Sequence, residues 1–509
     1  LVFIQQRGVR FPLGPPSCKI LDLNIIYKKI MYEKFGQFIN GNWKKSSGGE
    51  TYDVINPATE ELIGKASKAN EKDINLCLES AKEGFQIWKN TSPWERSKII
   101  RKISELIRER KNTLSQWLTL EVGKPLKESE GEVGGAADIF EWSSEEAKRI
   151  YGETLQGRSP NTKIHVYYQP VGVVAALVPW NFPITLASRK ISTALSAGCS
   201  VIVKPDVITP GAVMELVNIC KDAGVPKGVV NLLSGDPAYI SDKLLSSDII
   251  KKVSITGSTR VGKLILKKAA EKVQRVTMEL SGHSPFIVFD DVDLDKVTDI
   301  AIFAKFRNNG QVCISPSRFY IHESKKENFT ELMVKKIKKL KLGNGMDKDT
   351  ILGPLTTKKR LEEVENLVEI TKKEGAKILH GGKKPADFNK GYFFEPTVFV
   401  NVKDNFTIMH QEPFGPLVPI LSFKDFDEVV NRANNNDLGL ASYVYTNNLE
   451  KAHKASELME TGTVAVNTGV VALPEAPFGG IKQTGYGREG GSMAIKDYLN
   501  IKYTHLGLN

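Results

Sequence analysis

Apolar and polar positions along this chain form three patterns, and each predicts a different kind of element. From about residue 35 to residue 150 apolar residues recur at helical spacing. Ile99, Ile103, Leu106, Ile107 and Leu114 follow Ser92-Pro93-Trp94-Glu95. Ser92 can cap that helix, Pro93 suits its first position, and Glu95 can complete a capping box. Ahead of it, Gln37-Phe38-Ile39-Asn40-Gly41-Asn42-Trp43 reads as a hairpin that turns on Asn40-Gly41. Residues 162–169 alternate instead. Ile164, Val166 and Tyr168 share one face, and Lys163, His165 and Tyr167 the other, as on an exposed or edge strand. His165 there reads as a surface residue. Residues 499–503 alternate in the same way, which predicts that the two segments pair.

The third pattern begins at Val171. Apolar runs at 171–178, 200–203, 229–233 and 252–255 are each followed by a helical stretch. Strands apolar on both faces, alternating with helices, predict a parallel sheet covered on both sides. A second α/β series starts at Pro285 and runs to about Gly480. Parallel sheets bind ligands outside the carboxyl ends of their strands. The residues at those ends are therefore candidates: Pro179-Trp180-Asn181-Phe182-Pro183, Lys204-Pro205-Asp206, Gly235-Asp236 and Thr256-Gly257-Ser258.

At 509 residues the chain needs two or three domains. Its apolar content of 41% and charged content of 25% are those of an ordinary globular protein. No apolar run approaches the roughly 18 residues of a bilayer span, so no membrane partner is expected. The net charge of +11 raises nucleic acid as a partner. The lysines are spread and mixed with Glu, however, and Lys335-Lys336-Ile337-Lys338-Lys339-Leu340-Lys341 reads as a solvated helix face. Neither zinc-finger spacing nor an aromatic RNA-binding signature occurs, so nucleic acid is not expected, and no metal site is expected. Five scattered cysteines without Cys-x-x-Cys point to a reducing compartment, the cytoplasm. Residues 1–30, rich in Pro and Gly and lacking Met at the start, read as an extension outside the fold, with Met31 as the natural beginning.

Two stretches carry candidate chemistry. Arg307-Asn308-Asn309-Gly310-Gln311-Val312-Cys313-Ile314-Ser315-Pro316-Ser317-Arg318 places a cysteine in a loop. Cys313 is either a nucleophile or a spare half-buried thiol. Gly257-Ser258-Thr259-Arg260-Val261-Gly262 opens a helix after a strand. It is either a phosphate-binding start or an ordinary tight turn, and it lacks the Gly-x-Gly-x-x-Gly fingerprint.

Taken together, five motifs resemble the aldehyde dehydrogenase superfamily. They are Pro179-Trp180-Asn181-Phe182-Pro183, Gly257-Ser258-Thr259-Arg260-Val261-Gly262, Glu279-Leu280-Ser281-Gly282, Asn309-Gly310-Gln311-Val312-Cys313 and Glu412-Pro413-Phe414-Gly415-Pro416. The resemblance covers residues 35–506 and implies an α/β fold. A Rossmann-type cofactor domain would comprise residues 31–150 and 171–280, a catalytic domain 281–480, and a small β oligomerisation arm 151–170 and 481–509. It implies Cys313 as nucleophile, with a backbone-amide-rich loop lowering its pKa. Asn181 and the Cys313 N–H would form the oxyanion hole. Loss of hydride to nicotinamide would leave a thioester, and Glu279 would then activate water. For the cofactor it implies Lys204 at the adenosine ribose, Gly257 and Ser258 at the pyrophosphate, Trp180 in the cleft, and Glu412 with Phe414 at the nicotinamide ribose.

Two departures matter. NAD-preferring relatives often carry Glu three residues after the lysine, where this chain has Val207. Asp206 could supply the carboxylate, which favours NAD over NADP. Ser281 replaces a glycine, which could restrict φ, and tolerance is expected there. Within the family the chain resembles succinate-semialdehyde and 2-oxoglutarate semialdehyde dehydrogenases, with glutarate semialdehyde a further alternative. Arg189 and Arg307 would bind the substrate's distal carboxylate. Succinate semialdehyde is favoured through Asn467-Thr468-Gly469, while Leu473-Pro474-Glu475 leans to the oxoglutarate group. A homodimer or homotetramer is implied. Glu279 argues against a CoA-acylating enzyme. Cys313, Asn181 and Glu279 together argue against an inactive binding protein.

Overall fold

The computed structural model describes residues 32–507. The expectation for residues 1–30 lies outside the described residues. A seven-stranded sheet runs in the order Arg275–Glu279, Ile250–Thr256, Val173–Leu177, Ser200–Lys204, Val230–Leu232, Gln37–Ile39 and Asn42–Lys44. Its first five strands are parallel, and the hairpin turning on Asn40 and Gly41 closes the far edge antiparallel. Both turn residues have positive φ, 51° and 74°, which Asn and Gly tolerate best. The apolar runs are unbroken because both faces are covered. Val174, Ala176, Val201 and Val203 face one core, and Val173, Ala175, Leu177 and Ile202 the other. The first of these cores also takes Ile100, Ile103, Ile107 and Leu114 from the helices Pro93–Glu109 and Lys111–Val122. Ser92 accepts from the Glu95 N–H at 3.2 Å. The return half of that capping box does not form, and the Glu95 carboxylate lies 3.7 Å from Lys98 instead.

Strand order reverses between Val173–Leu177 and Ile250–Thr256. The chain leaves the first strand toward one edge and later returns on its other side. Loops diverging from such a point leave a crevice.

A second seven-stranded sheet runs Lys377–His380, Thr397–Val400, Leu417–Phe423, Pro316–His322, Ser284–Val288, Ala441–Tyr445 and Thr463–Val466. Phe286, Val288, Phe319 and Ile321 fill the core on one face, and Ile287, Phe289 and Tyr320 that on the other. Buried Arg318 ties this sheet to its surroundings: Nε donates to His283 O and Nη2 to Ala433 O, both at 2.9 Å. The arginine after the cysteine loop is therefore structural.

The two alternating segments pair as expected. Thr162–Pro170 lies between Glu153–Gln156 and Leu499–Gly507, with Leu499 opposite Pro170 and Gly507 opposite Thr162. The expected start of this arm at residue 481 needs correction. Ile481–Lys482 pairs with Leu438–Gly439. Thr484 and Tyr486 then accept from the Leu280 and Met278 N–H groups. The segment thus satisfies the free edge of Arg275–Glu279, where unpaired backbone donors would be costly. Only from Leu499 does the chain join the arm.

Candidate active site

The crevice at the strand-order reversal collects the expected motifs. Val173–Leu177 runs into Pro179, Trp180 and Asn181. Ile250–Thr256 runs into Gly257 and Ser258, and Arg275–Glu279 ends on Glu279 itself. The second sheet's layer adds Cys313, Glu412 and Phe414. These residues line one cavity of about 150 Å³, together with Arg360.

The cysteine loop gets its shape from Asn308, Asn309 and Gly310, which take φ of 48°, 53° and 76° in succession. Asn and Gly are the residues that adopt this left-handed region most readily. A β-carbon on Gly310 would lie 2.3 Å from Gly415 O, and one on Gly282 would lie 2.2 Å from Cys313 O. The loop is also held by side chains. Gln311 Nε2 donates to Asn308 O at 3.0 Å, and its Oε1 accepts from the Thr356 N–H at 2.9 Å. Tyr443 Oη donates to Ile314 O at 2.8 Å.

Asn181 is buried and donates through Nδ2 to Gln311 O at 3.1 Å. Its second amide hydrogen is left for a ligand oxygen. Its backbone carbonyl is gripped by Lys124 Nζ at 2.8 Å and Asn308 Nδ2 at 3.0 Å. Lys124 is fully buried, pairs with Glu132 at 2.6 Å and lies 3.7 Å over the Phe182 ring. Glu132 Oε1 in turn accepts from the Ile184 and Thr185 N–H groups at the start of the helix Pro183–Ala197. A buried pair that is also hydrogen-bonded to backbone fixes the geometry.

Glu279 is 1% exposed, and neither carboxylate oxygen has a hydrogen-bond partner among the described residues. Burial, and then the charge of Glu489, push its carboxyl up to about 7. Beneath it, Lys190 donates to Thr256 Oγ1 at 2.8 Å and pairs with Glu489. The expected lowering of the Cys313 thiol is not found. Burial and then the neighbouring Glu279 push it well above its ordinary value, while Arg307 acts in the opposite direction. The physical reason is burial first and then the two carboxylates, Glu279 and Glu412, whose charges disfavour a thiolate beside them. Glu412 is likewise pushed up to about 7 by burial; its Oε1 accepts from the Gly282 N–H at 3.2 Å.

Trp180 and Phe414 meet edge to face, with ring centroids 5.5 Å apart. Gly257 borders open space where a side chain would otherwise intrude. Ser258 caps the helix Thr259–Ala270. These features fit a dinucleotide: a flat slot, a bare backbone and a helix start aimed at an anion. Lys204 is buried, with Asp206 and Asp236 as its neighbouring charges. Asp206 Oδ1 accepts from the Ile208 N–H at 3.0 Å, so part of this carboxylate is taken up by its own turn. Val207 and Ile208 border a second cavity, of about 530 Å³. The tolerance expected at Ser281 agrees with its backbone, because its φ is not among the positive values.

The two arginines expected to bind substrate do not line the Cys313 cavity, but both act on Cys313 through their charge. Arg189 is buried, lies 5.0 Å from the Phe478 ring, and donates through Nη1 to Glu489 O at 3.2 Å. Arg307 lies 5.2 Å from the Phe182 ring. Its carboxylate neighbour Glu128 is taken up by the Asn308 N–H at 2.7 Å.

Lys124, Glu132, Lys190, Glu489 and Arg360 were not expected at the site. Lys190 adjoins Arg189, and Glu489 lies in the Gly485–Gly490 turn, but their partners are some 300 residues apart (Lys190 and Glu489, separation 299). No local pattern signals such a pair. Among the described residues no acidic, His and Cys cluster could hold a metal ion, and no helix is long and apolar enough to cross a membrane. The four described cysteines are free.

A loop cysteine, a side-chain amide and a poised carboxylate beside a dinucleotide crevice define an oxidoreductase acting on a carbonyl carbon. The chain belongs to the aldehyde dehydrogenase family, whose model matches residues 43–504. It is 41% identical over 466 residues to a glutarate-semialdehyde dehydrogenase of Pseudomonas putida, covering 92% of this chain and 96% of that protein. It is 39% identical over 470 residues to the NADP(+) succinate-semialdehyde dehydrogenase GabD of Escherichia coli, covering 92% and 97%. The crystal structure of a succinate-semialdehyde dehydrogenase from Burkholderia pseudomallei superposes with a TM-score of 0.91 at 39% identity, covering 93% and 98%.

Proposed function

We propose that the protein oxidises a semialdehyde bearing a distal carboxylate, with succinate semialdehyde favoured, to the dicarboxylic acid. The observation that carries this reading is Arg307, a guanidinium 5.2 Å from the Phe182 ring whose charge acts on Cys313, while the neighbouring Glu128 carboxylate accepts from the Asn308 N–H. Arg189 supplies a second buried cation whose charge couples to Glu279 and Cys313. Glutarate semialdehyde is the second reading, favoured by the Pseudomonas putida relative.

Cys313 Sγ, its proton released to solvent, adds as the thiolate to the aldehyde carbon. Asn181 Nδ2 and the Cys313 N–H hold the resulting oxyanion. A bound nicotinamide dinucleotide supplies the hydride acceptor. The acyl group then remains on Cys313 as a thioester. Glu279, ionised, takes a proton from water as that water attacks the acyl carbon, and the acid departs with the thiolate regenerated. NAD is favoured over NADP, because a 2′-phosphate near Lys204 would meet Asp206 and Asp236. Residues 32–150 and 171–280 act as the cofactor half and 281–480 as the catalytic half. The exposed Ile501 and Tyr503 on the arm support assembly into a homodimer or homotetramer.

The test is a kinetic panel of succinate, glutarate and 2-oxoglutarate semialdehydes and a neutral aldehyde, each with NAD and NADP. The carboxylated aldehydes should have the higher kcat/KM. A neutral aldehyde used equally well would end the carboxylate reading, and a preference for NADP would end the cofactor one.

A further inference from the structure

The catalytic cavity carries one cation that none of the family motifs names. Arg360 lies in the first turn of the helix Lys358–Lys373, behind its N-cap Thr357. Among the residues lining the cavity it is the only Lys or Arg, and it shares the wall with Trp180, Gly257, Ser258, Glu412 and Phe414. Its Nη2 pairs with Glu363 Oε2 at 2.7 Å. Its Nε is buried without a hydrogen-bond partner. A buried guanidinium donor that lacks an acceptor is costly, and its presence calls for an acceptor that the protein does not supply. Glu412 acts on Arg360 through its charge but accepts no hydrogen bond from its Nε, and its Oε1 takes the Gly282 N–H. The first turn of this helix also reads Lys358-Lys359-Arg360 and holds no acidic residue, although that end of a helix favours anions. An anionic acceptor in the cavity that Arg360 shares with Trp180 and Phe414 would satisfy this donor.

We propose that Arg360 is a cofactor-binding residue whose guanidinium grips the pyrophosphate of the dinucleotide on its nicotinamide side. The fork matches two phosphate oxygens, as a lysine or an amide would not. It also offsets the two carboxylates, Glu279 and Glu412, that the cofactor must pass. The inference rests on the dinucleotide reading of the groove given above.

Titration calorimetry on the full chain tests it, with NADH, ADP-ribose and AMP as probes. ADP-ribose retains the pyrophosphate without the nicotinamide, and AMP retains only the adenosine-side phosphate. Arg360→Gln should weaken NADH and ADP-ribose about tenfold to a hundredfold at low salt, and AMP less than twofold. The difference should shrink as salt is raised. Arg360→Lys should recover part of the loss. Glu363→Gln, which removes the ion pair and spares the guanidinium, should bind like the parent. Unchanged ADP-ribose affinity in Arg360→Gln overturns the proposal. So does an equal loss for AMP, or a Glu363→Gln loss as large as that of Arg360→Gln, which would mark a structural ion pair. If the parent binds none of the three probes, the dinucleotide reading fails and takes this proposal with it. If the parent binds all three and Arg360→Gln changes nothing, only the assignment of Arg360 fails.

Discussion

Replacing Glu279 by Gln separates the two halves of the reaction. The substitution keeps the size of the side chain and removes its charge and basicity. Acyl transfer to Cys313 does not need the carboxylate, whereas release by water does. Glu279→Gln should therefore give one burst of reduced cofactor per site and then stall, with steady turnover down about 10²–10⁴-fold, the usual worth of a general base. The parent's pH profile is set by the same group. With its carboxyl at about 7, about half the molecules hold an ionised Glu279 at pH 7 and about one in a hundred at pH 5. Steady turnover should fall accordingly, where an ordinary carboxylate would hardly change. Folding gives an independent readout. An acid with a raised folded-state pKa binds more protons folded than unfolded. Its contribution to stability is fully present below about 4.5 and is lost as pH rises through about 7. The loss amounts to about 3 kcal/mol. Glu279→Gln should thus raise the thermal midpoint at pH 8 and leave it nearly unchanged at pH 4.5. Stopped-flow absorbance of the reduced cofactor and a thermal scan at the two pH values suffice. Linear turnover by the variant within threefold of the parent would refute the base assignment, and equal midpoint shifts at both pH values would refute the burial argument.

Three further outcomes follow from neighbouring residues. Glu489→Gln removes a charge that raises Glu279 and frees Lys190, which lowers it; the midpoint of the steady-state pH profile should move to lower pH, and a move upward would contradict the charge accounting. Arg307→Ala should cost carboxylated aldehydes about tenfold to a hundredfold in kcat/KM and a neutral aldehyde little, as measured by competing substrates; equal losses would remove Arg307 from substrate binding. Deleting residues 499–509 should lower the mass seen by light scattering, because Leu499–Gly507 is the outer strand of the arm; an unchanged mass would place the subunit contact elsewhere.

Much of this was legible in the sequence because its determinants are local. The apolar runs at 171–178 and 200–203 report two-sided burial directly, and the structure covers both faces of Val173–Leu177 and Ser200–Lys204. Asn308-Asn309-Gly310 reports a left-handed turn, since few other residues accept one. The alternation at 162–169 and 499–503 reports a pair of strands with one solvated face. What escaped notice depends on contacts between distant segments. Lys124 and Lys190 look like ordinary helix lysines until the fold removes them from water. Segment 481–498 has no periodicity of its own, because its task is to satisfy the edge of another strand. The Cys313 thiol is the sharpest case. Its loop amides argue for a lowered pKa, but burial and then Glu279 and Glu412, which lie 34 and 99 residues away in sequence, raise it, and all of these act only after folding.

That sign has a consequence for how the enzyme waits between turnovers. Burial and then the charge of Glu279 raise the Cys313 thiol, which favours its protonated form, and burial raises Glu279 and Glu412 as well. If Cys313 is the nucleophile proposed above, its protonated form is the less reactive one and resists oxidation and stray electrophiles. A positive charge entering the cavity reverses the balance, because it favours every anionic form it faces. Oxidised nicotinamide carries such a charge and reduced nicotinamide does not, while the two fill nearly the same volume. Labelling of Cys313 by iodoacetamide at pH 7 should thus run about tenfold faster with saturating oxidised cofactor than with reduced cofactor. Shielding of the sulfur by the bound dinucleotide is common to both and cancels in the ratio. In Glu279→Gln the thiol is already released from its strongest neighbouring charge, so the ratio should shrink toward one. Equal labelling rates in the parent would show that the cofactor's charge does not reach the sulfur, and the account of a thiol held protonated by its own carboxylates would fall with it.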